Sequence, residues 1–204
     1  MNGNIVLLGK GDLCLKIANW LFTNTYSPLC IVPVIPEPSW CPSLASWAKS
    51  KDIEVINSGN YKDVKGEISI AISVFYEKII KKDFIDKCKR IINLHNSPLP
   101  KYRGVRPINW ALKNNEKTHG VTIHEITEGI DDGPIYGQII YPIYPQIEEV
   151  EDVYNKSKEY GWKLFQEVFP RINQLVPYEQ NHKESTYYSN KEINKLGNRS
   201  DFRR

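Results

Sequence analysis

At 204 residues the chain is long enough to bury a core unaided, and it fits one domain or one domain plus an extension. Its 41% hydrophobic and 25% charged residues are those of an ordinary globule, which excludes a disordered chain. A net charge of +3, spread along the sequence, gives no case for nucleic acid or a membrane surface as partner.

Asn4 to Leu8 reads as a short buried strand and Gly9-Lys10-Gly11-Asp12 as a turn. Leu13 to Phe22 follows as a helix with Asp12 as its N-cap. Strand, glycine-rich turn and helix open a Rossmann-like unit, although the turn lacks the third glycine of the dinucleotide fingerprint. Its helix N-terminus suits an anion, with Lys10 adding charge, and equally suits a plain tight turn. Leu29 to Ile35 is a second strand. Pro36 to Pro42 is a stiff loop in which Trp40 is either an exposed stacking surface or, by preference, a plug of the core beneath. Ser43 caps a short helix, and Ile53 to Ile56 is a strand. This β-α-β-α-β order implies a parallel sheet with right-handed crossovers.

Ile68 to Val74 is a central strand ending in Phe75-Tyr76, whose rings either face a ligand or lid the core. Lys82 to Lys89 reads as a helix. Two further apolar strands run into polar turns: Arg90 to Leu94 into His95-Asn96-Ser97, and Gly120 to Ile126 into Thr127 through Pro134. Ligands of open α/β sheets sit beyond the carboxyl ends of strands, so Asn93, His95 and Asp131 are expected over one crevice. An amide, an imidazole and a carboxylate there suit acyl transfer to an amine. A fixed amide N–H meets a developing oxyanion, a histidine moves a proton near neutrality, and no nucleophilic side chain is required. The same residues are also common at turns and caps.

Between the strands, Pro98 and Pro100 hold a loop extended. Lys101, Arg103 and Arg106 either meet an anionic substrate or serve as surface charges and internal carbonyl clamps. Pro107 starts a helix, whose Trp110 lines a pocket or packs beneath it. His119 and His124 read as satisfied structural imidazoles. Gly137 to Ile143 is a strand. A helix from Glu148 carries an apolar stripe from Val150 to Val168 and is kinked or ended by Pro170. Residues 1–176 form the expected catalytic domain. Residues 177–204, polar but with Tyr178, Tyr187, Tyr188 and Phe202, form a C-terminal extension expected to lie on it.

Cys14, Cys30, Cys41 and Cys88 show no metal-ligand spacing and read as reduced thiols, with Cys41 in a loop. With Met1 almost directly on a strand, no signal peptide is expected and the cytoplasm is the expected location. No run of about 18 apolar residues exists, so no membrane span is expected.

Asn93-Leu94-His95, then Ser97, Leu99-Pro100 and Tyr102-Arg103-Gly104, resembles the signature of the N10-formyltetrahydrofolate-dependent formyltransferases. That superfamily includes glycinamide ribonucleotide transformylase, methionyl-tRNA formyltransferase and the nucleotide-sugar N-formyltransferases. Its later aspartate follows a hydrophobic residue and precedes Gly-Pro in a register that selects Asp131 over Asp132. The resemblance implies a Rossmann-like α/β fold, a mostly parallel sheet flanked by helices, with a short C-terminal extension. It implies N10-formyltetrahydrofolate as co-substrate, no metal, and Asn93, His95 and Asp131 as the catalytic residues. Phe75, Tyr76 and the stretch Ile126-Thr127-Glu128-Gly129-Ile130 would contact the folate. Lys10, Ser97, Lys101, Arg103 and Arg106 would contact the second substrate.

The stretch Lys101 to Ala111 looks most like the nucleotide-sugar enzymes. In the aminoarabinose-modifying relatives an Arg directly follows the Arg-Gly pair, whereas here Val105 does, with Arg106 one later. The expected acceptor is the amine of a dideoxy-amino sugar on a nucleoside diphosphate, a dTDP sugar by preference, made for surface polysaccharide by a homodimer. The early end of the chain and the weak basic field argue against a methionyl-tRNA enzyme. The turn at Gly9 argues against the glycinamide ribonucleotide type. An inactive protein that binds folate or nucleotide sugar is the non-enzymatic alternative.

Overall fold

The computed structural model describes residues 4–26 and 29–197. The chain divides into two compact units: Met1–Leu94 with Glu125–Glu128, and His95–His124 with Gly129–Arg204. Phe202 and Met1 lie outside the described residues.

In the first unit, near-continuous apolar runs make parallel strands, because both faces of such strands are covered. They are β1 (Asn4–Gly9), β2 (Leu29–Pro33), β3 (Glu54–Val55), β4 (Ile68–Val74) and β5 (Ile91–His95), with β5 ending at the unit boundary. β1 pairs in parallel with β2 and β4, β2 with β3, and β4 with β5. Helices α1 (Gly11–Thr23), α2 (Leu44–Lys49) and α3 (Lys82–Ile85) connect them. Val6, Leu8, Val32, Ala71 and Phe84 are among the buried residues of one core cluster. Gly9 is required at the first turn: a Cβ there would stand 1.9 Å from the Val74 carbonyl oxygen.

Three expectations change here. Asp12 does not cap α1, which begins at Gly11 with Lys10 at the N-cap and no side-chain cap. Trp40 is 60% exposed and plugs nothing. The proline-rich loop is pinned by Glu37 instead, whose Oε1 accepts from Leu44 N at 2.7 Å and Ala45 N at 3.1 Å. Those N–H groups have no partner within the helix, and a carboxylate is the favoured acceptor at a helix N-terminus. Ser43 also caps α2, accepting from Ser46 N at 2.9 Å. The helix expected to reach Lys89 stops at Ile85, and Lys89 N donates to Ile68 O at 2.9 Å instead.

The second unit holds β6 (Arg103–Gly104), α4 (Pro107–Lys113), β7 (Thr118–Glu125, its last residue counted with the first unit), β8 (Ile135–Pro142), α5 (Val150–Val168) and β9 (Tyr187–Tyr188). β7 and β8 are antiparallel, with a register shift between Ile123 and His124. Such a bulge re-aims the side chain beside it. α5 opens with a capping box between Glu149 and Asp152 and gives way to a 3-10 turn, Phe169–Arg171, at Pro170. β9 pairs in parallel with β6. The Tyr188 ring stacks on Trp110 at 4.2 Å and on Tyr102 at 5.7 Å, so Trp110 packs under the C-terminal segment. The strand order within the first unit is β3-β2-β1-β4-β5, and the strands of the chain make a mostly parallel sheet with flanking helices, β7 and β8 being the antiparallel pair. Among the described residues no helix is long and apolar enough to cross a membrane.

His119 is fully buried on β7. Its Nε2–H donates to Asn96 O at 2.8 Å, and its Nδ1 has no hydrogen-bond partner among the described residues. A proton on Nδ1 would be an unsatisfied buried charge, and burial pulls the group down to about 4 from its ordinary 6.5. The unfolded chain therefore binds the extra proton first. His119 leaves stability intact above its unfolded value and removes up to about 3 kcal/mol as pH falls toward its folded one. His119→Gln keeps a donor for Asn96 and does not titrate. Urea unfolding from neutrality down to pH 4 is expected to show the acid loss shrinking by about that amount in the variant. Parallel curves for the two proteins would contradict this.

Candidate active site

The second unit places one carboxylate among three groups that stabilise its charge. Asp131 stands in the turn between β7 and β8 with a left-handed backbone, φ 50, a conformation Asp tolerates better than most residues. Its Oδ2 accepts the Gly104 N–H at 2.9 Å and lies 3.7 Å from His95 Nδ1. Its Oδ1 lies 3.5 Å from His124 Nε2. The two imidazoles meet edge to face, centroids 6.2 Å apart. His95 Nε2 is 3.1 Å from Tyr102 O; a carbonyl can only accept, so this nitrogen carries a proton. That bond fixes the ring and leaves Nδ1 as the nitrogen turned to Asp131. Burial alone would raise the Asp131 carboxyl, but His95, His124 and the Gly104 N–H outweigh it and hold the group well below the usual carboxylate range.

The stretch from Asn96 through β6 to Gly104 positions these groups by side-chain bonds. Ser97 Oγ donates to Lys101 O at 2.8 Å and is fully buried, so Ser97 staples the loop. Thr122 Oγ1 donates to Ser97 O at 2.7 Å and accepts from Gln138 Nε2 at 2.8 Å. Gly104 has φ 89, and a Cβ there would meet Tyr188 O at 2.2 Å. Of the three expected loop cations, Arg103 is an internal clamp: Nε and Nη2 donate to Gln180 Oε1 at 3.1 and 2.6 Å. Lys101 and Arg106 are exposed, and Arg106 stands at the N-cap of α4 in a left-handed conformation.

Asn93 stands two residues before His95 on β5, on the same face by the alternation of a strand. Phe75, Tyr76, Ile126, Thr127 and Glu128 belong to the first unit; Gly129 and Ile130 belong to the second. Phe75 has φ 57 at the end of β4. Tyr76 OH donates to Gly59 O at 2.8 Å, and its ring stands edge-on to Tyr61. Ile126 packs against the first unit's core, whereas Glu128 and Gly129 are exposed. Asp132 folds over Gly129, where a Cβ would meet its Oδ2 at 2.0 Å, so Asp131 is the carboxylate turned to the imidazoles. Lys10 is paired with Glu77.

Sequence reasoning missed His124 as a partner of Asp131. The available signal was a polar residue near the end of an apolar strand that leads into the Asp131 turn. It also missed Gln180, which composition placed in a polar tail. The four cysteines are free. Burial pushes the Cys30 and Cys88 thiols up to about 12, so neither is a thiolate nucleophile. Among the described residues no group of three or more His, Cys, Asp or Glu could hold a metal ion.

Because the Asp131 carboxyl titrates lower in the folded chain than in the unfolded one, its ionisation stabilises the fold fully above about pH 4, and this is lost as pH falls toward the folded value. Asp131→Asn is expected to cost about 2 kcal/mol near neutrality, with the gap narrowing on acidification below pH ~4. Denaturant unfolding at stepped pH measures the gap, and one that stays constant would contradict the charge account.

Residues 37–169 match the family described as Formyl transferase. The methionyl-tRNA formyltransferase of Fervidobacterium nodosum is 39% identical over 118 residues, 58% of this chain and 37% of that protein. The chain thus spans well under half the length of the curated relatives it matches. Among solved structures, the N-formyltransferase of Helicobacter canadensis, in complex with folinic acid and dTDP-3-aminofucose, superposes with TM-score 0.84 at 30% identity, over 95% of this chain and 72% of that one. WlaRD, a sugar 3N-formyl transferase solved with dTDP and 5-N-formyl-THF, gives TM-score 0.86 at 28% identity over the same shares, 95% and 72%. With the family match covering well over half of its length, this chain belongs to the formyl transferase family.

Proposed function

We propose that the chain is a sugar N-formyltransferase. It would move the formyl group of N10-formyltetrahydrofolate to the amine of a dideoxy-amino sugar carried on a nucleoside diphosphate, dTDP by preference. The observation that carries the chemistry is the convergence of His95 and His124 on the buried Asp131 carboxylate. The two solved relatives, one complexed with dTDP-3-aminofucose and one with dTDP, support the acceptor. We assign catalysis to residues 1–176 and treat 177–204 as a supporting extension, in a cytoplasmic homodimer that supplies surface-polysaccharide assembly.

In this reading the folate supplies the formyl carbon. The exposed Glu128-Gly129 stretch fits its ring system through backbone amides and carbonyls between Thr127 and Ile130, with Phe75 and Tyr76 as flat surfaces. The acceptor amine attacks the formyl carbon, the new C–N bond forms, and the bond to N10 breaks. Asn93 holds the formyl oxygen through its amide N–H. His95, fixed by Tyr102 O at Nε2, donates from Nδ1 to that oxygen as negative charge develops, then delivers the proton to the departing N10. Asp131 keeps the imidazole charged and takes the proton released by the amine, directly or through a water. The exposed Lys101 and Arg106 are the cations available to the diphosphate.

A second reading, formylation of methionyl-tRNA, is favoured by the 39% identical relative. An acceptor screen separates the two. Purified chain with N10-formyltetrahydrofolate is offered dTDP-linked 3- and 4-amino sugars, a UDP-amino sugar, glycinamide ribonucleotide and methionyl-tRNA, and products are read by mass spectrometry. Formylation of a nucleotide sugar at least about 100-fold more efficient than of the other acceptors is expected, a gap of about 3 kcal/mol in transition-state binding. Preferential formylation of methionyl-tRNA or of glycinamide ribonucleotide would overturn the sugar assignment.

A further inference from the structure

Gln180 lies in the C-terminal segment of the second unit and is 5% exposed. All of its hydrogen-bonding capacity is used. Its Nε2 donates to Asp131 O at 2.9 Å and to Gly133 O at 2.7 Å. Its Oε1 accepts from Nε and Nη2 of Arg103. The partners dictate the orientation of the amide, since a guanidinium only donates and peptide carbonyls only accept. Arg103 is followed directly by Gly104, whose N–H donates to Asp131 Oδ2. The bonds close a ring: Gly104 N–H to the Asp131 carboxylate, Asp131 main chain to Gln180, Gln180 to the Arg103 side chain, and Arg103 back to Gly104.

We propose that Gln180 is a positioning residue for Asp131, holding the peptide carbonyl so that the carboxylate stays aimed at His95 and His124. A left-handed residue in a turn persists when its surroundings determine it. Asp131 is gripped at both ends, by its carboxylate and by its carbonyl. A small rotation of its peptide would carry both oxygens away from imidazoles that stand 3.7 and 3.5 Å away. The segment bearing Gln180 is itself fixed on both sides. Tyr178 exchanges backbone bonds with Ile135 at 2.8 and 3.0 Å. Thr186 O accepts from Arg103 N at 2.9 Å, and its Oγ1 accepts from Tyr102 N at 2.7 Å. The remaining ionisable group on the ring is His182, whose Nδ1 accepts from Arg103 Nη2 at 3.2 Å. The C-terminal segment thereby becomes part of the machinery that aims the carboxylate.

The kinetic arm of the test rests on the formyl-transfer reading, and the spectroscopic arm does not. Gln180→Glu keeps the side-chain volume and an acceptor for Arg103, but sets an oxygen against two carbonyls. Gln180→Met is uncharged and removes both sets of bonds. In the full chain each is expected to lower kcat about 10- to 100-fold, with both KM values within about threefold of the parent. In an Asp131→Asn background the same changes are expected to cost less than about twofold more, because residues acting as one unit are not additive. Unchanged kcat in Gln180→Glu, or an equal loss in both backgrounds, would overturn the proposal. If the parent protein formylates no acceptor, the activity assignment fails and the 13C titration of the Asp131 carboxyl decides. A titration moved to higher pH in Gln180→Met supports the positioning role, and superimposed curves overturn it.

Discussion

A carboxylate taken out of water is tolerated only where its charge is met, and Asp131 is met from three directions. The Gly104 N–H bonds one oxygen at 2.9 Å, and His95 and His124 stand within ion-pair distance of the two oxygens. Desolvation works against the anion, and the imidazoles and the amide win. The outcome is a carboxylate that rests as the anion, beside a histidine whose far nitrogen is already committed to Tyr102 O. An imidazole with a fixed ring and one nitrogen turned to that anion is suited to donating and recovering a proton.

That arrangement depends on backbone that is mostly outside strand ladders. From Asn96 to Tyr102 the chain follows a loop before the two-residue strand β6, and the buried polar groups of that loop need partners. Thr122 donates to Ser97 O, Gln138 to Leu99 O at 2.8 Å, and Ser97 to Lys101 O. The C-terminal segment completes the set through Thr186 and the β6–β9 pair. Gly104 is held so close to Tyr188 O that no side chain fits, which lets its N–H reach the carboxylate. The slip between β7 and β8, where Tyr136 of β8 is the extra residue, has a parallel effect, since it falls opposite the residue that must turn toward Asp131. Packing of Tyr188 between Tyr102 and Trp110 therefore bears on chemistry as well as on stability.

The sheet was legible in the sequence because period and composition act locally. The apolar runs Ile5 to Leu8 and Ile68 to Val74 have few other ways to bury both faces. Pro107 marked the start of α4, and Pro170 marked the end of α5. What was illegible depends on partners distant along the chain. Arg103 reads as a cation for an anionic substrate, a surface charge or an internal clamp alike, until Gln180, 77 residues later, occupies its guanidinium. Trp40 reads as core by its chemistry, yet Glu37 supplies the anchor of that loop through two helix N–H groups. His124 shares the pattern of a structural histidine, and only the irregular pairing of β7 with β8 sets it on Asp131. Asp131 itself was chosen over Asp132 by its resemblance to a family register, which local propensity could not have supplied.

The most direct measurement of the central claim is the turnover number of Asp131→Asn on whichever acceptor the parent protein formylates, with both substrates saturating. The variant keeps the shape of the side chain and removes the charge that His95 faces. The account predicts kcat lowered by about 10²- to 10⁴-fold with little change in either KM. A variant that turned over within about threefold of the parent would show that the carboxylate is not part of the chemistry, and the mechanism assigned to His95 would fall with it.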